Sequence, residues 1–194
     1  QAGTPTVTIN REWNPKNGIL SINCKQLIPN NNNTKNDIPL VIPILIAIID
    51  SEGNSNFEQL IILKEFQETF LVNQKFSYVQ KPIVSILRGF SAPVICENDL
   101  SNDENLHLLK FDNDPFSKWD AGQILMRKIL FKQLNSKSSD DLEFKLISSL
   151  KNIIKNQSDQ NDCVLSKLLS VPGFSELELY LEEVNPLSLF NTRN

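Results

Sequence analysis

The stretch Ser101-Asn102-Asp103-Glu104, followed ten residues later by Asp114-Pro115, decides how this chain of 194 residues is organised. A Ser with a Glu three positions later is a capping box, in which the hydroxyl and the carboxylate accept hydrogen bonds from free backbone N–H groups at the start of a helix. An Asp before a Pro has the same meaning, because Pro at the first helical position loses no hydrogen bond. These two signals predict that the chain becomes helical from about residue 101.

Upstream of Ser101 the pattern is that of short strands. Thr6–Arg11 alternates in part and Ile19–Leu27 alternates clearly, and Asn17-Gly18 between them is a hairpin turn signal. Leu40–Ile49 is apolar on both faces, which is typical of a central strand. Further strands are predicted at Leu60–Lys64, Thr69–Val72, Val84–Arg88 and Pro93–Glu97. Seven short strands separated by turn signals predict an immunoglobulin-like β-sandwich over residues 1–100.

Downstream of Ser101 the apolar residues recur at helical spacing. Leu106 and Leu109 continue the first helix, and the helix that starts at Asp114-Pro115 is apolar around much of its circumference, so we expect it to pack against several neighbours. Later helices are predicted at Ser139–Lys155, at Asp162–Leu169, from Ser175 to about Val184, and from Asn185-Pro186 onwards. Such helices on short connections predict an antiparallel helical array over residues 101–194. The predicted fold class is therefore β + α in two domains, divided at about Leu100.

Composition excludes several classes of function. The formal net charge is -4 and the Lys and Arg residues are scattered, which argues against nucleic acid as a partner. The longest apolar run, Leu40–Ile49, is too short to span a membrane. Three cysteines lie far apart, at Cys24, Cys96 and Cys163, which argues against a disulfide scaffold and favours a reducing, cytoplasmic compartment. The chain opens with Gln1, contains Met126 as its only Met and shows no signal peptide, so we expect a processed or excised piece.

The candidate site residues do not combine into a catalytic or metal centre. His107 is the only His, and the sequence places neither a nucleophile nor an orienting group beside it. A metal site would need His107 and the three distant cysteines to converge, so buried, inert cysteines are expected instead. The acidic stretch Asp99–Asp114 lacks the spacing of a calcium loop and is better explained by helix capping. We therefore predict no catalytic, cofactor-binding or metal-binding residue in this chain.

Five segments in order carry a resemblance to a known family. They are Gln1-Ala2-Gly3-Thr4-Pro5, Ile38–Asp50, Glu68-Thr69-Phe70, Arg88-Gly89-Phe90-Ser91-Ala92-Pro93-Val94 and Asp114-Pro115-Phe116-Ser117-Lys118-Trp119-Asp120-Ala121. Together they resemble the bacterial-type aminopeptidase N (alanyl aminopeptidase) family of zinc metallopeptidases, colinearly over nearly the whole chain. The run Asn30–Asn33 departs from the family pattern.

The resemblance implies a place in a four-domain enzyme. Residues 1–100 would be its third, immunoglobulin-like domain, and residues 101–194 the truncated start of its C-terminal helical superhelix. The zinc ligands, the catalytic Glu and the G-x-M-E-N motif would lie upstream, so no catalytic residue is carried over and zinc belongs to the parent. The implied partners are the upstream catalytic domain, the missing downstream helices and the parent's peptide substrate.

Two functions remain open at this point. In the first, the chain is a non-catalytic scaffold of an aminopeptidase that removes N-terminal amino acids from peptides. In the second, it is a stand-alone protein-interaction module without enzymatic activity. Leu187, Leu189 and Phe190 follow Pro186 with few residues left to pack them. We therefore expect either fraying at this end or a homodimer through the truncated surface.

Overall fold

The computed structural model describes residues 4–29, 38–50, 52–72, 81–135, 140–156, 162–178, 180 and 186–193. The chain forms two compact units, Gln1–Leu100 and Ser101–Asn194. The Asn30–Asn33 run lies outside the described residues, and so does most of the stretch after Glu178 that was predicted to continue the fifth helix.

The first unit is a sandwich of two sheets. Within its described residues the strands are β1 (Thr6–Asn14), β2 (Ile19–Leu27), β3 (Ile42–Ile49), β4 (Ser55–Leu63), β5 (Gln67–Leu71), β6 (Ile83–Ile86) and β7 (Ile95–Asn98). One sheet has the order β5-β2-β1-β7, and the other has the order β4-β3-β6. All neighbouring strands among these are antiparallel except β1 and β7, which run parallel. The predicted immunoglobulin-like sandwich and the central position of the Leu40–Ile49 strand are confirmed.

Alternation along the strands builds the core of this unit. On β1 and β2 every second residue is buried, and opposite residues such as Ile9 and Cys24 lie in register on the same face. The fully buried side chains of the two sheets include Val7, Ile9, Leu20, Ile22, Cys24, Ile44, Ile46, Leu63 and Val84. The turn between β1 and β2 closes at Gly18, which has a φ of 64° and donates its N–H to the carbonyl of Asn14 at 2.9 Å.

Several predicted strand boundaries in this unit were wrong, and the largest error is at β4, which begins at Ser55 and not at Leu60. Leu40 was assigned to a strand, but its N–H and carbonyl bind the side-chain amide of Gln26 at 2.9 Å each, and β3 begins only at Ile42. Arg88 was also assigned to a strand. β6 ends at Ile86 instead, because Leu87 has a φ of 57° and Arg88–Phe90 forms a 3-10 turn.

The regular secondary structure in the described parts of the second unit is all helical. The helices are α1 (Asn102–Phe111), α2 (Pro115–Leu134), α3 (Asp140–Asn156), α4 (Asp162–Leu168), α5 (Phe174–Glu178) and α6 (Pro186–Arg193). The long helix α2 packs against α1, α3, α4 and α6, as its broad apolar surface predicted. Among the described residues no helix combines the length and the apolar composition that crossing a membrane requires.

Both helix starts predicted from the capping signals are confirmed. The Ser101 hydroxyl accepts from the N–H of Glu104 at 3.2 Å, and the Glu104 carboxylate accepts from the N–H of Ser101 at 2.8 Å. The Asp114 carboxylate accepts from the N–H of Ser117 at 2.7 Å, with Pro115 at the first helical position.

The residues after Pro186 were expected to have too few neighbours for packing, and the structure differs from that expectation. Helix α6 places Leu189 in a cluster with Leu130 and Leu177, where its exposure falls to 1%. The rings of Phe174 and Phe190 stack with centroids 6.0 Å apart. A short helix is unstable alone, but these tertiary contacts hold it, so the argument for fraying fails. The outward Leu187 remains exposed.

Candidate functional site

The residues singled out for chemistry are spread over the fold. The ring of His107 packs on Phe111 in the same helix, with centroids 4.8 Å apart. Cys24 is buried, Cys96 is half-buried and Cys163 is exposed, and all three are free thiols. Burial raises the pKa of the Cys24 thiol to about 12, and the charge of Glu68 adds to the effect. In the parts of the chain that the structure describes, no three His, Cys, Asp or Glu side chains are grouped to hold a metal ion.

The side chains of the acidic stretch accept hydrogen bonds from the backbone or form ion pairs. Glu104 and Asp114 cap helices, and Asp112 accepts the N–H of Asp114 at 2.9 Å. Asp103 lies 3.7 Å from the ammonium group of Lys145 on the exposed surface. The capping interpretation of this stretch is therefore confirmed for Glu104 and Asp114.

Asp99, which follows the edge strand β7, forms an ion pair with the buried Arg11 of β1. Arg11 follows Val7 and Ile9 on the inward row of β1, and its side chain is fully buried in the sandwich. Its Nε donates to Asp99 at 2.5 Å, and Lys81 Nζ donates to the other carboxylate oxygen at 2.7 Å. Removal from water opposes ionisation of Asp99, but the hydrogen bonds from Lys81 and Arg11 outweigh it and hold the pKa of Asp99 below its usual range. This network ties β1 to the end of β7.

The turn at Leu87–Phe90 is the most strained backbone among the described residues. Leu87, Gly89 and Phe90 all have φ values between 55° and 61°, although only Gly adopts that region without cost. Arg88, buried in this turn, donates from Nε to the carboxylate of Glu58 at 2.9 Å. The following Ser91 accepts the N–H of Leu45 on β3 at 3.0 Å. These contacts fix the turn against the second sheet.

A second polar network lies along α2. Gln123 is buried and donates to the carbonyl of Ser170 at 2.8 Å. One turn later Arg127 pairs with Glu176 of α5 at 2.5 Å and stacks over the ring of Tyr180. Removal from water raises the pKa of the neighbouring Asp120, with Arg127 opposing the shift and Glu176 adding to it.

The sequence patterns predicted neither network. One signal was available for the first, since Arg11 occupies an inward position of a strand whose alternation was recognised. No comparable signal pointed to Arg127 and Glu176, which are 49 residues apart and meet only when α5 packs on α2. All these groups bind strands to strands or helices to helices within their own unit.

Two domain families match the two units. Residues 3–99 match a domain of unknown function (DUF3458) with an Ig-like fold. Residues 102–194 match its companion, DUF3458_C, described as ARM repeats.

The similar proteins align along the whole of this chain, but this chain aligns with only a small part of each of them. Aminopeptidase N of Escherichia coli (strain K12) is 22% identical over 204 residues, which span 100% of this chain and 23% of that protein. Aminopeptidase N of Caulobacter vibrioides is 28% identical over 195 residues, spanning 100% of this chain and 22% of that protein. A crystal structure of Legionella pneumophila aminopeptidase A in complex with aspartic acid has the same fold, with a TM-score of 0.79 at 23% identity, and this chain covers 21% of it. The chain therefore spans about a fifth of the length of these relatives.

Proposed function

The chain belongs to the DUF3458 family of Ig-like domains followed by ARM repeats, as its resemblance to aminopeptidase N predicted, and we propose that it is a non-catalytic scaffold of a zinc-dependent aminopeptidase. The parent enzyme removes N-terminal amino acids from peptides in the cytoplasm. Its zinc ion and catalytic Glu lie in a catalytic domain upstream, and further helices lie downstream.

One observation carries this proposal. Relatives named aminopeptidase N match along the whole chain, across both units and in the same order, while the chain covers about a fifth of each. A stand-alone interaction module would give no reason for both units to recur together in aminopeptidases.

The internal contacts support a scaffold role. Charged side chains of the first unit form ion pairs with one another and so fix its backbone. They lie in the Arg11–Asp99–Lys81 network and in the strained turn around Arg88. In the second unit α2 serves as a central axis for its neighbours. A rigid support of this kind contributes geometry to an active site rather than reacting groups. The described residues also offer no cluster that fits zinc, so no catalytic step is assigned to them.

The first test is enzymatic. The purified chain, with zinc added, is assayed on alanyl and leucyl p-nitroanilides, with aminopeptidase N of Escherichia coli as the positive control. We expect no hydrolysis above background. Hydrolysis that a chelator abolishes would contradict the proposal.

The second test separates the proposal from the alternative of an interaction module. The coding sequence upstream of Gln1 is read for an H-E-x-x-H motif, the pair of His ligands with the catalytic Glu between them. Its presence within a few hundred codons in the same frame supports the aminopeptidase parent. A start codon close to Gln1 with no such motif would support the module instead.

A further inference from the structure

The helical unit contains an open cavity of about 760 Å³, a volume in the range of small-molecule sites. It lies between the end of α1, the start of α2, one face of α3 and the helix α4. On α3 the residues that line it include Ser149, Ile153 and Asn156, whose spacing of four and three residues places them on one side of the helix. All the elements around the cavity belong to the same unit.

Part of the cavity lining is apolar. Leu168 of α4 is buried, and Val164, one turn earlier, is half-buried beside it. Ile153 of α3 also lines the cavity, and so does Phe111 at the end of α1, which is 43% exposed. A surface of this kind favours an apolar group of a ligand, because covering it removes hydrocarbon from water.

Two cations line the cavity, Lys110, which is exposed, and Lys118. Lys118, on the first turns of α2, is half-buried, and within the described residues its ammonium group has no carboxylate within 4 Å. Lys145 of α3, which does not line this cavity, has such a partner, because Asp141 lies 3.0 Å from its ammonium. Removal from water lowers the pKa of Lys118, and the charge of Asp112 only partly opposes this. A half-buried ammonium without a close counter-ion is stabilised by an anion that enters the cavity.

The net charge of the residues that line the cavity determines whether it suits a monoanion or a dianion. Lys110 and Lys118 contribute two positive charges, and the buried carboxylate of Asp112 contributes one negative charge. The resulting single positive charge matches a monoanion, and Asp112 would repel the second charge of a phosphate. The side-chain amide of Asn152, another lining residue, adds neutral hydrogen-bonding capacity.

We propose that this cavity binds a small organic monocarboxylate with a compact apolar body, whose carboxylate pairs with Lys118 and whose body lies against Val164 and Leu168. The proposal concerns the helical unit alone and stands or falls independently of the aminopeptidase parentage.

The test is a titration of the isotope-labelled 194-residue chain, followed by amide chemical shifts in NMR spectra. The probes are hexanoate and 3-phenylpropionate, with hexanamide, hexylamine and inorganic phosphate as matched comparisons. We expect a Kd on the order of 1 mM for the carboxylates, as ligands of this size reach. The shifted amides should be those of Lys118, Ser149, Ile153 and Leu168.

Variants assign the binding to Lys118. Lys118→Met should weaken hexanoate binding at least about 10-fold, since a charge-assisted hydrogen bond is lost. Lys118→Arg keeps the charge and should retain binding within a few-fold. Lys132→Met, on an exposed part of α2 outside the cavity, is the matched control and should leave the Kd unchanged.

Several results would overturn the proposal. Equal shifts with hexanamide and hexanoate would show that no anion is recognised, and tighter binding of phosphate would show that the class is wrong. Shifts that survive in Lys118→Met or vanish in Lys132→Met would place the ligand elsewhere. Should Lys118→Met fail to fold, the comparison of the probes on the unsubstituted chain decides. An absence of shifts at concentrations about tenfold above 1 mM also refutes it.

Discussion

Replacing Asp99 with Asn tests whether a buried ion pair holds the sandwich together. The Arg11 side chain is fully buried in the sandwich, and its partner Asp99 is 26% exposed. Removing one member of such a pair leaves a buried charge without compensation, which costs about 3 kcal/mol of unfolding free energy. Lys81→Met removes only the half-exposed partner of the same carboxylate and should cost less than about 1 kcal/mol.

The two Trp residues allow the first unit to be followed separately. Trp13 lies in β1 and Trp119 in α2, so in a Trp119→Phe background the fluorescence reports only on the sandwich. Urea unfolding of Asp99→Asn, Lys81→Met and the parent background then gives the three free energies of unfolding. A loss below about 1 kcal/mol for Asp99→Asn, or an equal loss for Lys81→Met, would refute the central role given to the pair.

The pH dependence of this effect has a definite sign. The folded-state pKa of Asp99 is lowered, so its stabilising contribution is fully present above the unfolded-state pKa of about 3.9. The contribution is lost as the pH falls through the folded-state pKa. The difference between the parent background and Asp99→Asn should therefore stay constant from about pH 7 to pH 5 and shrink only below about pH 4. A difference that already shrinks above pH 5 would contradict the lowered pKa.

Three further changes have expected outcomes. Leu189→Ala should lower the unfolding free energy of the helical unit by about 3 kcal/mol, measured by far-UV circular dichroism, whereas the exposed Leu187→Ala should change it by less than about 0.5 kcal/mol. Gly89→Ala should lower the unfolding free energy of the sandwich by about 1 kcal/mol, measured in urea, because Gly89 has a φ of 61°. No atom lies within 4 Å of the added Cβ, so the cost comes from the backbone alone, and an unchanged urea midpoint would contradict this. Ellman's reagent should react with Cys163 in the folded chain and with Cys24 only after unfolding, since Cys24 is buried and its thiol has a pKa of about 12; fast labelling of Cys24 in the folded chain would contradict that burial.

Local signals in the sequence were sufficient for the order of the elements and for the fold class. The capping box at Ser101 and the Asp114-Pro115 pair each use neighbours within four residues, so the helix starts could be predicted from the sequence. Alternation predicted β2 from Ile19 to Leu27 because one face of that strand is buried.

The errors and omissions come from contacts between distant residues. Leu40 lies outside β3 because its backbone is hydrogen-bonded to the side chain of Gln26. Arg88 lies outside β6, in a turn where its guanidinium group forms an ion pair with Glu58. The packing of Leu189 depends on residues of α2 and α5 that no local pattern connects to it. The availability of Lys118 likewise depends on which side chains surround it, and the sequence alone does not state this.

The parallel pairing of β1 and β7 has a mechanical consequence. The two strands run side by side from the Thr6–Ile95 pair to the Ile9–Asn98 pair, and the N–H of Ile95 binds the carbonyl of Pro5 at 2.9 Å. A pull on the chain before β1 and after β7 acts in opposite directions along the strands. Because the strands are parallel, their hydrogen bonds are loaded in shear and share the force, whereas an antiparallel pair would unzip one bond at a time. A pull at these two points therefore has to break the hydrogen bonds of this strand pair together, not one after another.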